Sequence, residues 1–479
     1  MEEENVMEEG EEEENGNDSN STLEEHEEEE EEGECNYNSN STSEEEQGEP
    51  EPKKLKLLQE EDVISTLPDS IIHHILSLLP MEDAVTQDWG FVEKWLRFAT
   101  LGKVEELHID LLYDRQDESE EERGFVPYVM PHFLYENSSL TKLDSRYCSY
   151  NPKGPVSWTS LKALTISDAS FEEEVLQWIL LGCPILEYLE LRSCRSICKI
   201  NASSNPRLKK LVLSDVIGAY EVSIRSVNSL EILGEEYEYC LTTLLDVSSL
   251  VDATLDFGEL DFWPGYENQH MSQEYQDMVV HVLEKVNHVN QLTLGSVCIQ
   301  VLSLLELKGL PPPLSNHERN CLTIATGFNN RDLYGVASLL NSLPNLEKLI
   351  IKLTLHDKYY SFYSEELEKL DKKKMEHFWE VKGRSFECLV MSLKTVEIVV
   401  KSRYWIEFDE HHRQYYIATK HPGLIEFVEF ILKSARVLER MVFVAEKSSG
   451  LEAHDFYWLA KKVLNLPRAS PNAVVLLPD

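Results

Sequence analysis

Cysteine and histidine side chains are the residues of this sequence whose types and spacing could support metal binding or nucleophilic chemistry. Cys194 and Cys198 lie four residues apart, with Cys183 upstream. A structural zinc site needs four ligands, and no second cysteine or histidine pair stands at a suitable spacing. We therefore expect these thiols to be buried within repeated structure. His411 and His412 are adjacent, so their side chains would diverge on a strand or helix, and a solvated loop is the better interpretation.

Sequence motifs for phosphate binding and hydrolysis are also missing. The chain contains no GxxxxGK[ST], no GxGxxG after a strand, no GxSxG and no HExxH. Pairs of carboxylates carry little information in a chain with 87 acidic residues. The sequence therefore predicts no catalytic residue, no metal and no cofactor, and it indicates a protein that is not an enzyme.

Charge is distributed unevenly along the 479 residues, whose formal net charge is −43. Residues 1–52 contain 24 Asp and Glu and no Lys or Arg. Such a segment cannot bury enough apolar surface to offset the entropy of ordering, so we predict a disordered acidic tail over residues 1–62. The acidic excess argues against nucleic acid or an anionic membrane as a partner, because both need basic surface.

Features that would direct the chain to a membrane or to the secretory pathway are absent from the sequence. No apolar run approaches the roughly 18 residues of a membrane span, and the N-terminus is acidic, unlike a signal peptide. The nine cysteines are widely spread and odd in number, which favours reduced thiols. We expect the protein in the nucleus or the cytoplasm.

A short pattern, apolar-x-x-apolar-x-apolar, recurs from about residue 104 onward. Its clear copies are Val104/Leu107/Ile109, Leu161/Leu164/Ile166, Leu186/Leu189/Leu191, Leu208/Leu211/Leu213, Val289/Leu292/Leu294, Leu346/Leu349/Ile351, Leu393/Val396/Ile398 and Leu438/Met441/Phe443. Imperfect copies start at Leu140, Leu230 and Leu250. From Leu140 to Leu250 the starts are 21, 25, 22, 22 and 20 residues apart, which is the period of leucine-rich repeats.

Chance recurrence in a leucine-rich chain could also produce this pattern, and so could an ordinary α/β sheet. Five consecutive similar intervals argue against chance, and a doubly wound sheet would need longer crossovers. We predict an α/β fold, a leucine-rich-repeat solenoid with a curved parallel sheet and helices on its convex side. Return segments often look helical, for example Phe171–Leu181, with Phe171, Val175, Trp178 and Ile179 on one side.

Polar and aromatic residues alternate with the buried pattern positions and would form the exposed side of the sheet. Tyr188, Glu190, Arg192 and Lys210 are the residues we predict to bind a protein substrate. Their mixed chemistry fits no single small ligand. It suits a protein surface, or no partner at all.

A helix is predicted ahead of the repeats. Pro68 and Asp69 suit its first turn, Pro80 ends it, and Ile71, Ile75 and Leu78 follow helical spacing. A second set, Ile72, Leu76 and Leu79, widens the apolar surface beyond one stripe. The helix is therefore packed on two sides or offers one side to a partner.

The stretch from Ile64 to Val85 resembles the opening of an F-box. The repeats, with the string from Trp178 to Leu191, resemble the plant F-box/leucine-rich-repeat proteins, and Leu466–Leu477 is similar to the FBD module that closes many of them. The resemblance implies a substrate adaptor of an SCF-type cullin–RING ubiquitin ligase, with a Skp-type adaptor, a cullin and an unidentified protein substrate as partners. The residues implied to bind the Skp-type adaptor are Leu67, Pro68, Ile71, Ile75, Leu76, Leu79 and Pro80.

The expected organisation has four parts: an acidic tail over 1–62, a partial F-box over 63–85, repeats over 91–389 and an FBD-like module over 390–479. After Val85 the chain departs from the family pattern, because it continues directly to a helical stretch that starts at Phe91. The second half of the F-box is missing. The alternative function is therefore a leucine-rich-repeat interaction scaffold that no longer docks on the ligase.

Overall fold

Thirteen parallel strands form a single sheet in the computed structural model, and they follow one another across the sheet in chain order. The structure describes residues 89–111, 127–172, 174–234, 240–258, 269–353, 367, 369–370, 378–380, 386–400, 423–445 and 461–477. The strands of the large sheet are β1 Glu106–Asp110, β3 Lys142–Arg146, β5 Ala163–Ser167, β6 Tyr188–Arg192, β8 Lys210–Ser214, β10 Ser229–Leu233, β12 Asp252–Asp256, β13 Gln291–Leu294, β14 Cys321–Thr326, β15 Lys348–Leu353, β16 Thr395–Val400, β17 Arg440–Ala445 and β18 Val474–Leu476. This arrangement confirms the leucine-rich-repeat fold.

The apolar pattern produces this sheet because its positions stack on their counterparts in the next repeat. In β5 the second and fourth residues, Leu164 and Ile166, are fully buried, and Leu164 pairs in register with the equally buried Leu189 of β6. The first pattern residue, Leu161, is buried before its strand begins. Each such side chain stabilises the fold by about 1.5–3 kcal/mol through burial. A single repeat could not supply that burial alone.

A tight turn precedes many strands of the large sheet and places the first pattern residue of those repeats in the core. The backbone N–H of that residue donates to the carbonyl three positions earlier, from Leu161 to Trp158 at 3.2 Å and from Leu186 to Cys183 at 3.2 Å. The same bond joins Arg319 to Asn316 at 3.2 Å, two residues before β14. Arg319 therefore stands where other repeats have leucine, and the 57-residue gap between the repeats at 289 and 346 holds one further repeat.

Arg319 keeps its core position because two of its three guanidinium nitrogens donate to backbone carbonyls, while Nη1 is buried without a hydrogen-bond partner among the described residues. The side chain is 1% exposed. Its Nε donates to the Val289 carbonyl at 3.2 Å, and Nη2 donates to the carbonyls of Asn287 at 3.0 Å and Val289 at 2.8 Å. Burial lowers the pKa of this guanidinium to about 10. The arginine thus links the turn of its own repeat to the preceding turn.

We expect Arg319→Ala to lower the free energy of unfolding by about 2–4 kcal/mol. The substitution leaves a cavity and removes the donors from two buried carbonyls. Arg319→Leu should recover part of the loss, because leucine fills the position as in other repeats but donates nothing. Urea unfolding followed by circular dichroism measures the difference. The exposed Arg207→Ala serves as the matched control and should change stability by less than about 0.5 kcal/mol; an equal loss in both variants would contradict the prediction.

The return segments on the other side of the repeats are partly strands, which differs from the helical expectation. β7 Lys199–Asn201, β9 Gly218–Ser223 and β11 Cys240–Asp246 form a second parallel sheet. A short pair, β2 Tyr128–Val129 and β4 Cys148–Ser149, lies near the start of the repeats. The connections between the large-sheet strands from β6 to β12 hold 17, 14 and 18 residues, fewer than the 20 between β5 and β6, and extended chain closes these repeats.

Helices form the remaining described return segments and the first element of the described chain. They are α1 Gly90–Leu101, α2 His132–Tyr135, α3 Val175–Leu181, α4 Gln269–Lys285, α5 Ser296–Leu307, α6 Leu333–Ser342, α7 Glu387–Met391 and α8 Leu424–Ser434. None of the helices in the described ranges is both long and apolar enough to cross a membrane.

The helix expected over Phe171–Leu181 is shorter and differently oriented than predicted. It begins at Val175, and its buried side chains include Leu176 and Ile179. Trp178 is 45% exposed, so its predicted place on the buried side is wrong. The helix packs through positions 175, 176, 179 and 180, which are adjacent on one side, and position 178 lies off that side.

The copy of the pattern placed at Leu230 begins three residues earlier. β10 has Leu230 and Ile232 buried at its second and fourth positions, and the buried Val227 precedes it as the first pattern residue. The large sheet also continues into residues 390–479 through β16, β17 and β18. The last strand, at Val474, lies in a repeat that the apolar pattern did not reveal.

Helices α5 and α6 cross at a glycine. A Cβ at Gly335 would lie 2.0 Å from the carbonyl oxygen of Ile299, which no side chain could tolerate without displacing the backbone. The Gly335 N–H instead donates to the Ser303 hydroxyl at 2.6 Å. The close approach fixes how the two helices pack behind β13 and β14.

Candidate protein-binding face

The first, third and fifth side chains of the large sheet's strands point away from the buried pattern positions. We call this side of the sheet the open face. Its side chains align in rows, because the strands pair in register: Tyr188 lies opposite Lys210, and Glu190 lies opposite Val212. A partner approaching the open face would therefore meet regular rows of side chains rather than a closed cavity.

The four residues predicted to bind a substrate lie together on this face. Tyr188, Glu190 and Arg192 are the alternate residues of β6, and Lys210 is the first residue of the neighbouring β8. The Tyr188 hydroxyl donates to Glu190 Oε2 at 2.7 Å, and Arg192 Nε donates to Glu190 Oε1 at 2.5 Å. The structure thus brings them together, and whether they bind a substrate stays a prediction.

The carboxylate at the centre of this group is covered by its two donors. The side chain of Glu190 is 8% exposed, against 57% for Arg192. Burial, together with the hydrogen bond to the Glu190 carboxylate, raises the pKa of Tyr188 above its ordinary range. The phenol is therefore neutral at physiological pH, and the accessible polar groups are the edge of the guanidinium and the neighbouring ammonium.

Ion pairs between neighbouring strands occur along the rest of the open face. Lys210 Nζ lies 2.6 Å from Glu231 Oε1, and Lys348 Nζ lies 3.0 Å from Glu397 Oε2. Partly exposed pairs of this kind contribute little to folding stability, typically below about 1 kcal/mol. Their value on a binding surface is different, because paired charges can select a partner by its complementary charge pattern.

The middle of the open face carries no charge in its central row. Thr254, Thr293 and Thr323 stand side by side in β12, β13 and β14. Beyond them the row turns apolar at Ile350. Sequence reasoning did not single out this ladder, although the residues could have been found from the third position of each strand once the missing repeat was known.

The cysteines considered as metal ligands differ in their exposure to solvent. Cys183 and Cys194 are buried, as expected, whereas Cys198 is exposed, which corrects the expectation for that residue. Burial raises the pKa of the Cys183 and Cys194 thiols to about 12. Across the described ranges, no three His, Cys, Asp or Glu side chains gather in a way that could hold a metal ion.

The residues implied to bind the Skp-type adaptor, from Leu67 to Pro80, lie outside the described residues. The predicted acidic tail over 1–62 lies outside them too, as do His411 and His412. The helix expected from Phe91 is present as α1.

Comparison with known proteins supports the same family. Residues 92–246 match the family model described as the leucine-rich repeats of FBD-associated F-box protein At5g56370. F-box/LRR-repeat protein At5g02910 of Arabidopsis thaliana is 28% identical over 431 residues, which cover 80% of this chain and 88% of that protein. F-box/LRR-repeat protein At3g03360 of the same plant is 32% identical over 274 residues, covering 54% of this chain and 52% of that protein. The resemblance inferred from the sequence is therefore confirmed.

Proposed function

We propose that this relative of the plant F-box/leucine-rich-repeat proteins is the substrate-recognition adaptor of an SCF-type cullin–RING ubiquitin ligase. In this proposal the open face binds the target protein. The segment from Leu67 to Pro80 is the remaining part of the surface that meets a Skp-type adaptor and, through it, the cullin, and the missing second half of the F-box weakens that contact. The chain itself performs no chemistry. Its role is to hold a target close to the ubiquitin-transferring subunits, in the nucleus or the cytoplasm.

The observation that carries the proposal is the open face of a sheet whose repeats match those of F-box proteins. Interfaces gain most of their affinity from a few aromatic and arginine side chains, and Tyr188 and Arg192 stand together there. The mutual pairing of these residues with Glu190 fixes their side chains before binding. Less conformational entropy is then lost on association.

The alternative is a leucine-rich-repeat scaffold that binds proteins but no longer recruits the ligase. The chain passes from Val85 to α1 within five residues, which leaves no room for the second half of an F-box. Co-purification with a Skp-type adaptor separates the two functions, because a ligase subunit must bind the adaptor and a scaffold need not.

The target-binding part of the proposal is tested by charge reversal on the open face. We expect Arg192→Glu/Lys210→Glu to reduce the proximity labelling of the chain's target proteins in plant cells at least tenfold. The reason is that loss of one or two central anchors costs about 2 kcal/mol or more of binding free energy. The control is Lys199→Glu/Arg225→Glu. It makes the same change in charge at exposed residues of the second sheet or beside it, on the other side of the repeats.

Quantitative mass spectrometry compares the proteins labelled by the two variants and by the unmodified chain. The control should label the same set as the unmodified chain. If the open-face variant retains that set while the control loses it, the target is bound by the opposite side of the repeats and the assignment of the open face is wrong.

A further inference from the structure

The first helix, α1, has apolar side chains on two sides. Val92 and Leu96 are buried against the first repeat. On another side Trp95, Phe98 and Leu101 are 39%, 42% and 82% exposed. Because they are spaced three residues apart, these three side chains follow one another along one side of the helix. We call them the α1 stripe.

The position of α1 makes this exposure unusual. The helix precedes β1, which is the first strand of the large sheet and pairs on one side with β3. Trp89, just before the helix, contacts Tyr128 at a ring distance of 5.4 Å, and the Arg97 guanidinium lies 4.5 Å from the Phe133 ring. The helix is thus fixed on the first repeat. The outer surface of a terminal repeat must normally be polar for solubility, whereas the α1 stripe is apolar.

We propose that residues 67–79 of the same chain cover the α1 stripe. This segment contains Ile71, Ile72, Ile75, Leu76, Leu78 and Leu79. At helical spacing, these residues form more apolar surface than a single stripe on a partner can cover. One set of them can therefore contact α1 while another set remains for a different contact. The proposal concerns packing within the chain and does not depend on recruitment of a ligase.

Charge supports this choice of occupant. Residues 64–88 include the acids Asp69, Glu82, Asp83 and Asp88 and contain no Lys or Arg. Beside the α1 stripe, the helix exposes Lys94 and Arg97, and Arg97 is also paired with Glu93 of the same helix at 2.6 Å. Opposite charges at the rim of an apolar contact favour the correct orientation and disfavour other partners.

The connection between the two elements also favours an intramolecular contact. Eight residues, 81–88, join Pro80 to Trp89, and an extended chain of that length reaches about 27 Å. The 12 residues of α1 span about 18 Å, so the segment can return along the whole helix. A connection of only eight residues gives an effective concentration of about 1 mM. A second copy of the chain at micromolar concentration competes poorly with that.

Hydrogen exchange of the full chain tests the proposal. We expect backbone amides of residues 71–79 to exchange at least tenfold more slowly in the unmodified chain than in Phe98→Asp, because an aspartate in the α1 stripe would be buried without a partner. Amides of strand β6 should exchange equally slowly in both, which shows that the repeats remain folded. Leu181→Asp is the matched control, since Leu181 is 61% exposed on α3, and it should leave exchange of residues 71–79 unchanged.

Two results would overturn the proposal. Fast exchange of residues 71–79 that is the same in the unmodified chain and in Phe98→Asp means that the segment does not cover the stripe. Sedimentation that shows a dimer, converted to a monomer by Phe98→Asp, means that a second copy covers it. No adaptor is present in either measurement, so failure of this proposal is distinguishable from failure of the proposed function.

Discussion

The repeats should unfold as the pH rises from about 9 to 11, although they are stable near neutral pH. The cause is a set of buried groups that the fold holds in their protonated, neutral form. Burial raises the pKa of four thiols to about 12, those of Cys148, Cys183, Cys194 and Cys388. It raises the pKa of Cys298 still further, and the pKa of Tyr128 to about 12. The buried phenols of Tyr135 and Tyr150 are shifted in the same direction.

The sign of the effect follows from where each proton is held. In the unfolded chain these thiols ionise near pH 9 and the phenols near pH 10, whereas in the folded chain they remain protonated. Unfolding therefore releases protons above pH 9, and the stability that the neutral groups provide is lost as the pH rises toward the folded pKa near 12. Each group lowers the free energy of unfolding by about 1.4 kcal/mol per pH unit in this interval. Over the two pH units from 9 to 11, five thiols together lower the free energy of unfolding by about 13 kcal/mol, which is comparable to the 5–15 kcal/mol that stabilises a typical protein.

Thermal unfolding measured from pH 7 to pH 11 in the presence of a reductant checks this expectation. The midpoint should be nearly constant below pH 8.5 and then fall steeply. Cys298→Ala should make the fall shallower, since it removes one fully buried group. Cys198→Ala is the control, because this exposed side chain is solvated in both states and should leave the slope unchanged. A midpoint that stays constant from pH 8.5 to pH 10.5 would contradict the prediction.

The fold could be predicted from the sequence wherever a repeat follows the apolar rule. Leu186, Leu189 and Leu191 are in the core for the same reason that they are recognisable, since both depend on the spacing of apolar side chains. Arg319 breaks that link. Its guanidinium occupies a leucine position by donating to carbonyls of the preceding turn. No local sequence pattern predicts such a contact. The extended return segments around β9 depend in a similar way on neighbours, because their strands exist only by pairing with one another.

The sequence predicts that the four residues of the candidate site lie together on one face. It does not predict the hydrogen bonds and ion pairs that they form. A period of two along β6 places Tyr188, Glu190 and Arg192 on one face, and the repeat spacing places Lys210 beside them. Which of these groups bind one another depends on side-chain conformations. The sequence alone could not show that Glu190 accepts from both neighbours while Lys210 pairs with Glu231.

We expect the chain to bind a Skp-type adaptor weakly or not at all. The apolar residues from Leu67 to Pro80 are present, but the second half of the F-box is missing between Val85 and α1. An interface that loses half of its surface also loses the packing that fixes its first helix. Truncating a central anchor typically costs about 2 kcal/mol or more, so the loss of several weakens a nanomolar complex by orders of magnitude.

Insertion of a complete second half after Val85 should restore binding, and isothermal titration calorimetry with a purified Skp-type adaptor would measure both chains. In the restored chain, Ile75→Asp should abolish binding because a charge would be buried in the apolar interface without a partner. Ser77→Asp, the matched control, changes charge equally at a polar position of the same predicted helix and should retain binding. Nanomolar affinity of the unmodified chain would show that the second half is dispensable. The missing surface would then have to come from the apolar residues before Pro80 or from α1.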